Sequence, residues 1–392
     1  MNHAMFNYGN IRIIHGVNSL EALGEEVAGT CRKVLIITDE GVRKAGHVER
    51  VEQLLKEFHI STVIYDRIQT DPLDTMVEEA LLLLQEHVCD LVIGLGGGSS
   101  MDVAKCVSVM KNNDGHIMEY TRINPNRRSF SEKRMPLLLI PTTSGTGSEL
   151  SPFAVITNTA INRKSNVTSD KFLPDVVIMD PKLVTTLDQK WTVSTAFDAL
   201  THAIDGYTVK EVVLHENPFV DCFALKSIAL LSKSMRTAYA CKEDIDARYN
   251  VMMGSHFAGA ILSAGTGASH GLANMLSKYY HVPHGESVGI LLPYVMEYNL
   301  MACPQRFADI AKALGLPCVG MTALEAGRAA IAEVKQIAKD MNLPTLADYI
   351  KDASEIENFL EESLDNSCNY ANVREITRDA AAFIFLSAHQ GA

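Results

Sequence analysis

The chain has 392 residues, 47% of them hydrophobic and 21% charged, which suits about two domains at roughly 150 residues each and excludes a disordered, collagen-like or bare coiled-coil sequence. Its 35 Lys and Arg against 47 Asp and Glu give a formal net charge of −12, which repels phosphate backbones and argues against nucleic acid as a partner. No apolar stretch approaches the roughly 20 residues of a membrane span.

The start, MNHAMFNYGN, lacks the charged-then-apolar order of a secretory signal. Eight cysteines (Cys31, Cys89, Cys106, Cys222, Cys241, Cys303, Cys318 and Cys368) form no CxxC pair. They read as reduced thiols of a cytoplasmic protein.

In chain order, Lys33–Thr38 (KVLIIT) is a short apolar run followed by an amphipathic stretch to about Glu57. Ile60–Tyr65 repeats the short run, and the segment from Asp74 repeats the helical pattern. Asp90–Leu95 leads into GGGSSMDVAKCVSVM, and Leu137–Ile140 and Val176–Met179 are further short apolar runs. Buried strands alternating with helices predict a parallel sheet covered on both faces. Beyond about Leu183 such runs vanish and long Ala/Leu/Met-rich segments take over. The expected fold is therefore an α/β domain with a parallel sheet over residues 1–184 and an all-α domain over residues 185–392.

Gly97, Gly98 and Ser99 lie between a predicted strand and a predicted helix. Glycines there let a phosphate approach the backbone, and the helix end supplies free N–H groups and positive potential. The spacing is not G-x-G-x-x-G, so a tight turn without a ligand is the plain alternative. Thr142, Thr143 and Thr146 follow a second strand and offer hydroxyls for a dinucleotide. Asp39, at the end of the KVLIIT strand, either accepts bonds from an adenosine ribose, favouring NAD over NADP, or caps a helix.

In STAFDALTHAIDGY, Asp198 and His202 are four residues apart and leave one helix face. His270 opens the helical segment ASHGLANMLSKYY, and His284 sits in the Pro-His-Gly turn after it. One carboxylate and three imidazoles suit a divalent transition metal. Four protein ligands plus an open position for substrate oxygen favour Fe2+, with Zn2+ as the alternative. Each residue also has a structural reading, Asp198 as a surface acid and His202 as a core histidine.

Taken together, these segments resemble the iron-containing (group III) alcohol dehydrogenase family. GGGSSMDVAK, PTTSGTGSELSPFAVIT, LPDVVIMDPKL, STAFDALTHAIDGY and HVPHGESVGILLP match that family's blocks in order, across most of the chain. The resemblance implies a two-domain fold with an NAD(P)-binding α/β lobe and a helical metal lobe. It also implies metal ligation by Asp198, His202, His270 and His284, and a pyrophosphate loop at Gly97, Gly98 and Ser99. A second cofactor loop falls at Thr142, Thr143 and Thr146, an NAD-selecting acid at Asp39, and a cofactor-side lysine at Lys164.

The implied activity is hydride transfer between NAD and a small alcohol, diol or short aldehyde in a homodimer or larger assembly. Where many members carry a proton-transferring histidine, this chain has Asn274, which has no proton to exchange near neutral pH. Either the proton travels by water and ribose hydroxyls, or Asn274 binds a polar group of a functionalised substrate, or His281, seven residues on, takes the proton role if the helix persists that far. The competing expectations are a metalloenzyme of the glycerol dehydrogenase or dehydroquinate synthase kind, or a catalytically inactive binding homologue.

Overall fold

A computed structural model describes residues 9–122 and 124–391 of the chain. Its contacts define two compact units. The α/β unit runs to Thr143 and resumes at Gly147–Thr186; the helical unit is Leu187 onward together with Ser144–Thr146.

The α/β unit holds strands β1 (Arg12–His15), β2 (Lys33–Ile37), β3 (Ser61–Tyr65), β4 (Leu91–Gly96), β5 (Leu137–Pro141), β6 (Phe153–Asn158), β7 (Arg163–Thr168) and β8 (Val176–Met179). Six form a parallel sheet in the order β1-β8-β5-β4-β2-β3. Its helices are α1 (Leu23–Val27), α2 (Glu40–Lys44), α3 (His47–Glu57), α4 (Asp74–Glu86) and α5 (Gly98–Met110). Strand side chains alternate between two cores, as period-two geometry requires. Val34 and Ile36 pack with Val51 and Leu55 of α3 on one face. Leu35 and Ile37 pack with Val77 of α4 and Val107 of α5 on the other. The five sequence-predicted strands are present.

Three strands were not legible. β1 is a four-residue edge strand with only two apolar residues, Ile13 and Ile14, between Arg12 and His15. β6 and β7 form an antiparallel hairpin outside the main sheet. The segment RKSNVT alternates between buried and partly exposed positions and carries polar residues on one side, so it lacks the apolar run of a two-sided strand.

What matters for function is register. Ile37 of β2 pairs with Gly94 of β4, and Gly96 of β4 pairs with Pro141 of β5. The loops after these three strands therefore emerge side by side at the carboxyl edge of the sheet, where open α/β sheets bind ligands.

The helical unit contains α6 (Gln189–Thr208), α7 (Lys210–His215), α8 (Pro218–Ala240), α9 (Ile245–Ala260), α10 (Ala268–Tyr280), α11 (His284–Asn299), α12 (Pro304–Ala313) and α13 (Ala323–Asp340), then short helices and a last one at Arg378–Gln390. From Thr192 onward almost every α6 residue is buried, which makes it the axis of one continuous core. Its start is capped by Asp188, whose Oδ1 accepts the Trp191 N–H at 2.8 Å. Among the described residues no strand occurs beyond Met179, and no helix is long and apolar enough to cross a membrane.

Candidate metal centre and nucleotide loops

The centre is assembled from three helices of the helical unit. Asp198 and His202 project from one face of α6, His270 stands in the first turn of α10, and His284 is the first residue of α11. A glycine brings α11 in: a Cβ on Gly285 would lie 2.0 Å from the Ser194 carbonyl oxygen, so only glycine lets this helix start against α6.

Asp198 Oδ1 is the hub. It lies 3.7 Å from Nε2 of His202, 4.0 Å from Nε2 of His270 and 3.6 Å from Nε2 of His284. The His202 and His270 rings stack with centroids 4.6 Å apart. These separations exceed a hydrogen bond, whose limit is about 3.2 Å. They are the spacing expected of donors that each sit about 2.0–2.2 Å from one shared cation.

Asp198, His202 and His270 are all buried, with ligand atoms within 4.8 Å of one another. His284 stands at the rim with 40% of its side chain exposed. Asp198 Oδ1, His202 Nδ1 and His270 Nε2 have no hydrogen-bond partner, although buried polar atoms ordinarily have one. Burial holds the His202 imidazole below its ordinary pKa against the opposing pull of Asp198. It is therefore neutral at pH 7, the form that donates a lone pair. The donor set fits a divalent cation.

One neighbour was not picked out from sequence. Asp205, seven residues after Asp198 on α6, lies with Oδ2 2.9 Å from Nδ1 of His270. The same oxygen accepts the Gly267 N–H at 3.0 Å, and Oδ1 accepts the Ser269 hydroxyl at 2.9 Å. The signal was available: Asp198, His202 and Asp205 are spaced i, i+4, i+7 along one helix face.

In the α/β unit, Gly97 is the extended N-cap of α5 and makes no side-chain cap, so Gly98 and Ser99 present the first turn of a 13-residue helix. Gly96 has φ 155°, and a Cβ there would meet Ser100 Oγ at 2.6 Å. That turn requires glycine.

The second loop meets the first. The buried Thr142 donates its N–H to Gly96 O at 3.0 Å, and Thr143 packs against Gly97. Thr146 belongs with the segment Ser144–Thr146 that packs in the helical unit, so the predicted threonine loop is divided. Asp39 is the N-cap of α2: its Oδ1 accepts the Val42 N–H at 3.0 Å, and its Oδ2 accepts the Ser100 hydroxyl at 3.4 Å.

Lys164, on the hairpin, forms an ion pair with Asp71, its Nζ 2.7 Å from Oδ1. One sequence expectation changes. His281 does not continue a helix face. α10 stops at Tyr280, and His281 is its exposed C-cap with left-handed backbone (φ 53°), so the seven-residue relation to Asn274 fails. Asn274 itself lies one turn beyond His270 on α10, half-buried and with no side-chain hydrogen bond among the described residues.

The GGGSSMDVAK block also holds a network missed from sequence. Lys105 is fully buried, and its Nζ donates to Ser148 Oγ (2.6 Å), Phe153 O (2.8 Å), Ser151 Oγ (3.2 Å) and Asp102 Oδ1 (3.3 Å). Asp102 in turn accepts from the Ser148 hydroxyl (2.6 Å) and the Val155 N–H (2.9 Å). The network ties α5, which carries the glycine loop, to the start of the hairpin.

A parallel sheet with glycine and threonine loops at its carboxyl edge, in a chain with an acid-and-imidazole metal centre, defines the class of metal-dependent nucleotide-linked dehydrogenases. Two family models match: iron-containing alcohol dehydrogenase over residues 10–181, and the C-terminal domain of the Fe-containing alcohol dehydrogenase family over residues 192–389. The chain belongs to the iron-containing alcohol dehydrogenase family. It is similar to choline dehydrogenase of Bacillus subtilis (strain 168), at 33% identity over 375 residues, 95% of this chain and 92% of that one. It is also similar to 1,3-propanediol dehydrogenase of Klebsiella pneumoniae, at 32% identity over 396 residues, 99% of this chain and 100% of that one. Among solved structures, a 1,3-propanediol oxidoreductase superposes with a TM-score of 0.92 at 32% identity, covering 98% of this chain and 100% of that one. The chain is an NAD-linked alcohol dehydrogenase of this family, whose members use a divalent metal, typically iron.

Proposed function

We propose that Asp198, His202, His270 and His284 hold one divalent metal ion, Fe2+ before Zn2+, and that the enzyme interconverts a small alcohol or diol with its short aldehyde. The observation that carries this is the convergence of Nε2 of His202, His270 and His284 on Asp198 Oδ1 at 3.6–4.0 Å, with Asp198 Oδ1 and His270 Nε2 buried and without a hydrogen-bond partner. When bound, the metal supplies Lewis acidity toward the substrate oxygen, and NAD supplies the hydride acceptor.

The chain's own part is to bind and orient. Gly97, Gly98 and Ser99 offer the α5 terminus to the pyrophosphate, and Thr142 and Thr143 line the adjoining strand end. The Asp39 carboxylate favours a ribose hydroxyl over a 2′-phosphate, and hence NAD over NADP. Thr146 and Lys164 complete the cofactor-side set that the family resemblance assigns.

Asn274 replaces an imidazole with an amide that offers both a donor and an acceptor. We assign it to a polar group of the substrate, which points to a functionalised alcohol or aldehyde over a plain alkyl one. Eight free cysteines suit a reducing cytoplasm, and a homodimer or larger assembly is the expected state.

The test pairs metal analysis of the purified protein with a panel of alcohols and aldehydes, read at the NADH absorbance. Turnover that requires the bound metal supports the reading. A protein that binds NAD but turns over no member of the panel with iron or zinc added would favour the inactive-homologue alternative. A reaction without net NADH change would favour the synthase kind.

A further inference from the structure

We propose that Asp205 is the positioning residue of the metal centre, holding the His270 ring so that its Nε2 lone pair points at the cation; this rests on the metal site proposed above. Asp205 is buried, and both its oxygens are engaged. An ionised carboxylate can only accept hydrogen bonds, so the His270 nitrogen 2.9 Å from it must be the protonated one. With the proton fixed on Nδ1, Nε2 carries the lone pair. Nε2 is the buried atom without a hydrogen-bond partner, and it faces Asp198 Oδ1 at 4.0 Å. Asp205 thereby selects both tautomer and ring orientation, the function such outer carboxylates serve for ligating histidines.

Asp198 and Asp205 are buried carboxylates two helical turns apart, and among the described residues neither is paired with a Lys or Arg. Gly267 permits the arrangement: a Cβ there would come 3.2 Å from Asp205 Cγ. The same carboxylate also anchors the first turn of α10 through Gly267 and Ser269, so a merely structural role is the competing account.

The experiment uses the full chain stripped of metal and Co2+ as the probe, with affinity measured by chelator competition, ligand geometry by the visible Co2+ absorption, and metal-free stability by thermal melting. Asp205→Asn is expected to weaken Co2+ binding by about 10- to 100-fold and to change the absorption band. In a His270→Ala background the same substitution should add little further loss, because its effect passes through that ring. Ser269→Ala removes an anchor but not the bond to His270, and should leave Co2+ affinity within about twofold.

Unchanged affinity in Asp205→Asn, whatever its melting temperature, overturns the proposal, as does a full additional loss in the His270→Ala background. If Asp205→Asn does not fold, Asp205→Glu decides: it keeps the charge but displaces the acceptor by one methylene. A folded Asp205→Glu protein with weakened Co2+ binding supports the proposal, and one with wild-type affinity overturns it. Failure of the wild-type protein to bind Co2+ would instead remove the metal reading itself.

Discussion

The buried charged cluster around Lys105 in the α/β unit and the one around Asp198 in the helical unit differ in how their polar atoms are partnered. Around Lys105 every charged group has protein partners: four acceptors surround Nζ, and Asp102 accepts from a hydroxyl and a backbone N–H. Around Asp198 the donor atoms converge but do not bond one another, sitting 3.6–4.0 Å from the carboxylate oxygen. A closed cluster is a structural tie, since its desolvation is offset within the protein. An open cluster of the same burial is stable only with something that completes it, and the chemistry of these donors specifies a cation.

The largest expected effect lies in the open cluster. His270→Ala should lower turnover by about 1000-fold or more and weaken metal binding while leaving it measurable at high metal concentration, and NAD binding measured by fluorescence titration should stay within a few-fold. Loss of NAD binding as well would dissolve the distinction between the two clusters.

The contrast sharpens with charge removal. Lys105→Met strands Asp102 in the core and should cost about 3–5 kcal/mol in urea unfolding, whether or not metal is present. Asp198→Asn removes an unpaired buried charge. The metal-free protein should therefore be as stable as wild type, or more stable by about 1 kcal/mol, although metal binding is lost. A severe loss of metal-free stability in Asp198→Asn would show that its carboxylate is a structural partner after all.

Chelation gives a third measure. Metal at about 100 times its dissociation constant should stabilise the native chain by about 2.7 kcal/mol, seen as a rise in melting temperature. The Lys105→Met protein should show the same rise from a lower baseline.

The smallest effect contrasts the thiols of the two units. Burial pushes Cys31 and Cys89 of the α/β unit up to about 11, whereas Cys222 and Cys241 of the helical unit are exposed. Alkylation at pH 8, followed by peptide mass analysis, should modify Cys222 and Cys241 first and leave Cys31 and Cys89 largely unmodified, their thiolate fraction being about 0.001.

Much of the fold was legible because its signals are local. KVLII and LVIGLG announce buried strands by unbroken apolar character, and the Ala/Leu-rich stretches announce helices. β7 escaped because a strand with one polar face and no partner sheet resembles a loop. His281 was misjudged because helix propensity continues through KYY, while the chain turns left-handed at the next residue ahead of Pro283. Lys105 and Asp205 were in plain view within quoted blocks. Their meaning depends on partners 43 to 65 residues away, which spacing does not reveal.

The sequence by itself determined the two kinds of unit, the strand-to-glycine turns, and the four residue types able to ligate a metal, since each follows from periodicity or side-chain chemistry over a few neighbours. Only the tertiary structure decided which nitrogens meet one carboxylate oxygen, which buried charges are closed off, and which histidine is held by Asp205. Those outcomes depend on helices far apart in the chain packing to within a glycine's clearance, and distance in space is not encoded at any short range of sequence.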